Sequence, residues 1–334
     1  MNRISPKRKG VDGKDRNLDV IRNYLVKKIK KEIRGRLVSA ITKLYPDDAL
    51  IATEIKNTLH KLLTADVAAL KKYTDFYDAK YPDKFYELKG GHWSKTSLGI
   101  AIYEAFNYEN YREKVLVEVA MMLNVKSCPY CNMHYTLYAN EQRPRSVRKL
   151  SKFQFDHFFD KSRYPMLSMS FYNLIPSCPM CNQGKSAGQL SLTYHPYHSD
   201  IHKLFHFEMQ DPLGPYTAAR INDEVKIKLV PETGVDTKEF DDYKKMFHLE
   251  ALYSRHGDVI QEVYDKAYEA PYYLSPSSFS FLGSRTQEYI QRLWLGNYIK
   301  PNEIERRPLA KFMQDIWEQA SGEKISGKKY KVLP

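Results

Sequence analysis

The chain has 334 residues, a net charge of +12 and a hydrophobic content of 43%. This composition excludes a disordered chain and allows one to three structural units with sizeable cores. No run approaches the roughly 18 apolar residues of a membrane span, and the N-terminus lacks the apolar region of a signal peptide. We therefore expect a cytoplasmic protein with no membrane partner.

The positive charge is concentrated at the N-terminus. Residues 1–36 contain 13 Lys/Arg against 4 Asp/Glu, which leaves the rest of the chain close to neutral. The basic balance favours a polyanionic partner, which could be DNA, RNA or a membrane surface. A basic arm can hold phosphates without reading sequence. A solvated, partly disordered tail explains the same charge equally well.

Residues 1–125 form the first predicted region, and their pattern is helical. An apolar stripe at three- and four-residue spacing runs from Leu18 to Leu44 and predicts one long helix that is stopped by Pro46. Asp47 and Asp48 are good N-cap residues for a second helix, and further helix is predicted over 97–123. This region has no catalytic constellation, so we assign it to packing or partner contact.

Residues 126–200 form the second region and contain all four cysteines. Alternating residues predict one strand over 133–137 and another over 153–157, and Pro179 is expected to begin a short helix. Residues 201–334 are predicted to be mostly helical, with a strand over 225–229 and helices over 238–270, over 285–298 and near Pro308. The expected fold class is α+β, mainly helical, with a small ββα core.

The cysteines form two C-x-x-C pairs, Cys128 with Cys131 and Cys178 with Cys181. One tight turn can present both thiolates of such a pair to one ion, and two turns complete a closed tetrahedral zinc site. The gap of 46 residues exceeds the roughly 15–20 of a simple zinc ribbon, so the loop can hold something else. A redox motif or two chance pairs are the alternatives. Closed four-thiolate zinc is structural rather than catalytic.

The loop between the pairs carries a second group of polar residues. Asp156 and His157 are adjacent at the end of a predicted strand, Asn173 follows, and Asn182 comes directly after the last cysteine. Adjacent strand residues point to opposite faces, so one can face a metal while the other faces a scissile phosphate. Each residue alone is more simply explained as a turn, core, cap or zinc-knuckle residue. Together, in this order and beside two cysteine pairs, the four residues are poorly explained by chance.

This segment, residues 128–186, resembles the HNH endonuclease family, which has a ββα-metal fold and often a structural zinc bound by two C-x-x-C pairs. The resemblance implies that Asp156 binds a catalytic Mg²⁺ or Mn²⁺, that His157 is the general base and that Asn173 ties the loop that orients it. Asn182 stands where the family commonly has His, and it would be the second metal ligand. Lys161, Arg163 and Lys185 would contact substrate phosphates.

The resemblance implies a phosphodiester hydrolase that acts on DNA, or on structured RNA such as tRNA. The flanking segments are similar, less specifically, to bacterial anti-phage defence effectors of the Septu and retron-associated kind, which act with a partner ATPase. The alternative is a zinc-organised nucleic-acid-binding or scaffold protein with a degenerate site, because Asn182 replaces the usual histidine. His134, His195 and His198 are further possible ligands, but a loop or core role explains each of them better.

Overall fold

The computed structural model describes residues 3–89, 92–186, 188–210, 225–273 and 287–322. Within these ranges the chain combines helices with two-stranded antiparallel sheets, which confirms the α+β class. None of the helices in the described part of the chain is long and apolar enough to cross a membrane.

The chain divides into two compact units. The first unit comprises residues 4–125 and 136–199, and the second comprises residues 1–3, 126–135 and 200–334. These bounds differ from those of the three regions expected from sequence, 1–125, 126–200 and 201–334, whose division into domains stays a prediction.

The helices of the first unit are mostly near its N-terminus. They are α1 (Leu18–Ile41), α2 (Pro46–Thr64), α3 (Val67–Lys80), α4 (Ser97–Phe106), α5 (Tyr108–Glu113), α6 (Val115–Leu123) and α7 (Pro179–Lys185). The predicted apolar stripe is the buried face of α1, which begins at the N-cap Asn17 and ends earlier than expected, at Ile41. Pro46 does not stop α1. It begins α2, because the first residue of a helix donates no intrahelical N–H bond and proline lacks that N–H. Asp47 and Asp48 lie in the first turn of α2.

The strands of the first unit pair as sequence neighbours. They are β1 (Lys7–Lys9), β2 (Asp15–Asn17), β3 (Tyr86–Lys89), β4 (His92–Lys95), β5 (Tyr138–Arg143), β6 (Ser146–Ser151), β7 (Gln154–His157) and β8 (Leu174–Ser177). The strand predicted at the end of the Phe153–Phe155 alternation is β7. Its antiparallel partner is β8, with Asp156 opposite Ile175 and His157 opposite Leu174, and α7 follows β8 almost directly.

The strand predicted over 133–137 is wrong. Cys128 accepts the Asn132 N–H at its carbonyl and donates its own N–H to the His134 carbonyl. Asn132 has a φ of 52°, a left-handed conformation that asparagine tolerates well. These bonds fold the stretch into a turn, and only an isolated bridge between Ser127 and Tyr135 remains.

In its described residues, the second unit contains one strand pair and the remaining helices. The strands are β9 (Phe205–Met209) and β10 (Ile227–Pro231), and the described helices are α8 (Thr237–Met246), α9 (Leu249–Tyr253), α10 (Gly257–Tyr273), α11 (Gln287–Leu295) and α12 (Ala310–Ser321). The pattern over 238–270 is therefore three helices. The first break is at His248, which adopts a φ of 49°, and the second is at residues 254–256. Residue 285, the expected start of α11, lies outside the described residues.

Side chains of α12 cover the edge of β9 that faces away from β10. The Phe207 N–H donates to the Asp315 carboxylate at 2.9 Å, and the Met209 N–H donates to the Gln319 amide oxygen at 2.9 Å. The Gln319 amide in turn donates to the Met209 carbonyl. These bonds satisfy backbone groups that a two-stranded sheet would otherwise leave unpaired.

Candidate functional site

The four cysteines form a buried cluster. Their sulfur atoms all lie within 4.8 Å of one another, and none is in a disulfide. A tetrahedral zinc ion with Zn–S bonds of about 2.3 Å needs sulfurs roughly 3.8 Å apart, so a small contraction would accommodate one. The cluster could therefore hold a metal ion such as zinc, and four thiolates would leave no coordination position open for substrate.

Each cysteine pair is shaped by its own local backbone. In the first pair, the Met133 N–H points at the Cys131 sulfur at 3.4 Å. In the second, Cys178 is the N-cap of α7, and its sulfur accepts the Cys181 N–H at 3.4 Å. Each of these N–H groups therefore points at a sulfur that could bind a metal ion.

Asn173 is the last residue of the loop that joins β7 to β8. Its side chain is fully buried and makes three hydrogen bonds to backbone groups. It accepts the Phe159 N–H at 2.7 Å, and it donates to the carbonyls of Phe159 at 3.1 Å and Leu167 at 3.0 Å. These bonds hold the two arms of the loop together.

The loop that Asn173 holds also positions His157. The Nε2 atom of His157 lies 2.9 Å from the carbonyl oxygen of Ser168, the residue after Leu167. A carbonyl can only accept, so Nε2 carries the proton and Nδ1 is the basic nitrogen of the neutral ring. The ring of Tyr108 packs edge-on against the imidazole, with centroids 4.5 Å apart.

The electrostatic surroundings keep His157 neutral. Burial lowers the pKa of His157 well below its usual 6.5, and the nearby Lys161 ammonium lowers it further. Neutral imidazole can accept a proton at Nδ1, which is what a general base requires.

Asp156, the neighbour of His157, is buried beside a cation. The Lys185 ammonium donates to Asp156 Oδ1 at 3.3 Å and to the His157 carbonyl at 2.8 Å. The side chains of Lys185 and Asp156 are only 0% and 3% exposed. Lys185 was expected to contact substrate phosphate, but the structure gives it this internal partner because α7 packs against β7.

One cavity of about 340 Å³ brings several of the expected residues together. Its lining includes Asp156, His157, Asn182 and Lys161. The Asn182 amide nitrogen donates to the side-chain oxygen of Gln154, another lining residue, so its own oxygen is the atom available to a cation. The cavity thus combines a neutral imidazole, a carboxylate and an amide oxygen.

The two other expected phosphate contacts differ in position. Lys161 lines the cavity and also donates to the Glu109 carboxylate at 3.2 Å, which partly neutralises it. Arg163 is not among the lining residues, and it donates to the Asp78 carboxylate at 2.7 Å. Arg163 therefore pairs with a residue of α3. Of these two expected phosphate contacts, Lys161 is the one that lies in the cavity with His157.

Sequence reasoning missed residues that reach the cavity from a distant helix. Tyr108 and Arg112 on α5 are part of the lining, as is Asp160, which follows β7. No motif links α5 to residues about 45 positions later, so only the folded chain reveals them.

No protein-family model matches this chain, and comparisons with curated proteins and with solved structures also give no match.

Proposed function

We propose that the cavity around His157 is the active site of a metal-dependent endonuclease of the HNH type, which hydrolyses phosphodiester bonds in DNA or structured RNA. The observation that carries the proposal is the convergence of Asp156, His157 and Asn182 on one cavity beside an antiparallel strand pair followed by a helix. A general base and two hard-oxygen ligands are what such hydrolysis requires.

His157 would activate the attacking water. Its Nδ1 takes the water proton while the water oxygen forms a new bond to phosphorus, and the bond from phosphorus to the departing 3′ oxygen breaks. The Nε2–H bond to Ser168 keeps the proton on the other ring nitrogen throughout the approach of water. Asn173 contributes indirectly, since it holds the loop that carries that carbonyl.

Asp156 and Asn182 would hold the catalytic Mg²⁺ or Mn²⁺. Carboxylate and amide oxygens suit these hard cations, and the cavity places both side chains in its wall. When bound, the cation supplies positive charge to the phosphate and to the departing oxygen. Lys161 would add a second positive charge next to the substrate.

We also propose that the four-thiolate cluster binds zinc as a structural ion. Closed coordination by sulfur gives this ion a role in stability rather than in hydrolysis. The protein would then bind two metal ions with different roles: a structural zinc ion in the cluster and a catalytic Mg²⁺ or Mn²⁺ in the cavity.

The test is a cleavage assay on supercoiled plasmid and on tRNA, with and without Mg²⁺ or Mn²⁺. We expect His157→Ala to reduce cleavage by about 10²- to 10⁴-fold, the usual contribution of a general base, with zinc content unchanged. His198→Ala is the matched control, because His198 is an exposed histidine of the same unit. Full activity of His157→Ala would contradict the proposal.

A second candidate is a nucleic-acid-binding protein with a degenerate site. The buried Lys185–Asp156 ion pair favours it, because an ammonium already neutralises the carboxylate that would bind the cation. It predicts salt-dependent binding of nucleic acid with no cleavage in either metal. Action with a partner ATPase in anti-phage defence stays a prediction of the family resemblance.

A further inference from the structure

The solvent-facing side of α1 is an unusually cationic surface. At about 100° of rotation per residue, five cations of this helix fall within an arc of roughly 160°. The arc lies opposite the buried stripe that includes Ile21, Leu25 and Ile29. We call these five cations the α1 rail: Lys27, Lys28, Lys30, Lys31 and Arg34.

The charges of the rail are largely unneutralised. The ion pairs of α1 are Arg22 with Asp19 and Arg36 with Glu32, and the rail residues form none with any described residue. Four of the rail cations line a shallow cavity of about 510 Å³ that contains no acidic residue; its lining is Asn23, Val26, Lys27, Lys30, Lys31, Arg34 and His60. Clustered like charges repel one another, so a polyanion is the complementary partner.

The fifth rail residue faces a groove that leads to the candidate active site. Lys28 lines a cavity of about 820 Å³ together with Arg112 and Lys114, and the carboxylates of Glu113 and Glu118 lie in the same lining. This cavity shares Arg112 and Gln154 with the cavity around His157, so the two adjoin. Three cations and two carboxylates therefore lie between α1 and the edge of the site.

We propose that the α1 rail binds the phosphate backbone of the nucleic acid and directs it along the Lys28–Arg112 groove toward His157. The proposal rests on the proposed function for its endpoint, although the binding surface itself does not require cleavage. An anionic membrane is the competing polyanion. Surface helices bind membranes by inserting an apolar face, and the apolar face of α1 is buried within its own unit.

The test compares two variants with equal loss of charge, both in the full-length His157→Ala chain so that substrate stays intact. The rail variant replaces Lys27, Lys30, Lys31 and Arg34 by Gln, and the control replaces the exposed Lys226, Lys228, Lys238 and Lys245 by Gln. Gln forms helices as well as Lys does, so α1 is expected to stay folded. Fluorescence anisotropy measures binding to labelled duplex DNA and to tRNA across a range of salt concentrations.

For duplex DNA we expect the slope of log K against log salt to become shallower by about 3 to 4 in the rail variant, at roughly 0.9 per lost phosphate contact. The control should keep the wild-type slope. Equal behaviour of the two variants would overturn the proposal, and so would a rail variant that loses only its binding to phosphatidylserine vesicles. If the rail variant has a shallower slope but the wild-type protein never cleaves nucleic acid, the result would support binding by the rail and contradict only the proposed nuclease activity.

Discussion

Replacing Asn173 by alanine should both destabilise the first unit and release His157. The substitution leaves the Phe159 N–H and the carbonyls of Phe159 and Leu167 without their side-chain partner, in a position that is 0% exposed. A buried polar group that loses its partner costs about 1–3 kcal/mol. Taking the lower figure for each of three groups, we expect a loss of about 3 kcal/mol in the free energy of unfolding.

The same substitution should change which nitrogen of the neutral imidazole carries the proton. Asn173 holds Leu167, and the next residue, Ser168, holds the His157 Nε2–H. Loosening this loop removes the preference for one tautomer, so we expect a mixture of both. Cleavage should fall, because the basic nitrogen no longer has a fixed position.

Urea unfolding measures the first effect, and long-range ¹⁵N NMR of the imidazole measures the second. Asn297→Ala is the matched control: Asn297 is also buried, donating to the Pro308 carbonyl and accepting the Tyr298 N–H, but it belongs to the second unit. The control should lose stability and keep the tautomer of His157. A loss below about 1 kcal/mol for Asn173→Ala, or an unchanged tautomer, would refute the reasoning.

Three further predictions concern stability. Lys185→Met leaves the buried Asp156 carboxylate without its ammonium and should cost about 3–5 kcal/mol in urea unfolding. Adding Asp156→Asn should recover most of this loss, and equal stability of the single and double variants would argue against a coupled pair. Burial lowers the pKa of His195 to about 3 in the folded protein. As the pH drops below about 6.5, the unfolded chain therefore binds a proton that the folded chain does not, and the free energy of unfolding falls. Between pH 7 and pH 5 the free energy of unfolding should fall by about 2 kcal/mol because of His195. Unfolding curves of His195→Gln should lack this pH-dependent loss. The same pH dependence in His195→Gln and in wild type would contradict the prediction. Cys128→Ser should abolish the zinc measured by mass spectrometry and lower the Tm, whereas wild-type protein without zinc would disprove the ion's identity.

Periodicity was enough to predict some elements. The apolar stripe identified α1 because a helix buried on one side needs apolar residues every three or four positions, and Phe153 and Phe155 identified β7 because a strand alternates. The placement of Asp156 and His157 at the end of β7 followed from the same alternation. Both periodicities depend only on residues that are close together in the chain, so they can be recognised in the sequence alone.

Other features depend on contacts between distant segments. All four residues of β8 are buried, and a short run that is buried on both faces has no alternation to recognise. Lys185 was expected to contact substrate phosphate, and only the packing of α7 on β7 shows that it pairs with Asp156. Arg112 had no motif, since its place in the cavity depends on where α5 lies in the folded chain.

The hydrogen bonds from α12 to β9 have a consequence for solution behaviour. A two-stranded sheet normally offers an open edge to which a strand of another molecule can add, and such addition starts aggregation. Here Asp315 and Gln319 already occupy the outward N–H groups of Phe207 and Met209. Intermolecular strand addition at β9 would first have to displace both side chains, so α12 protects the second unit against self-association through this edge.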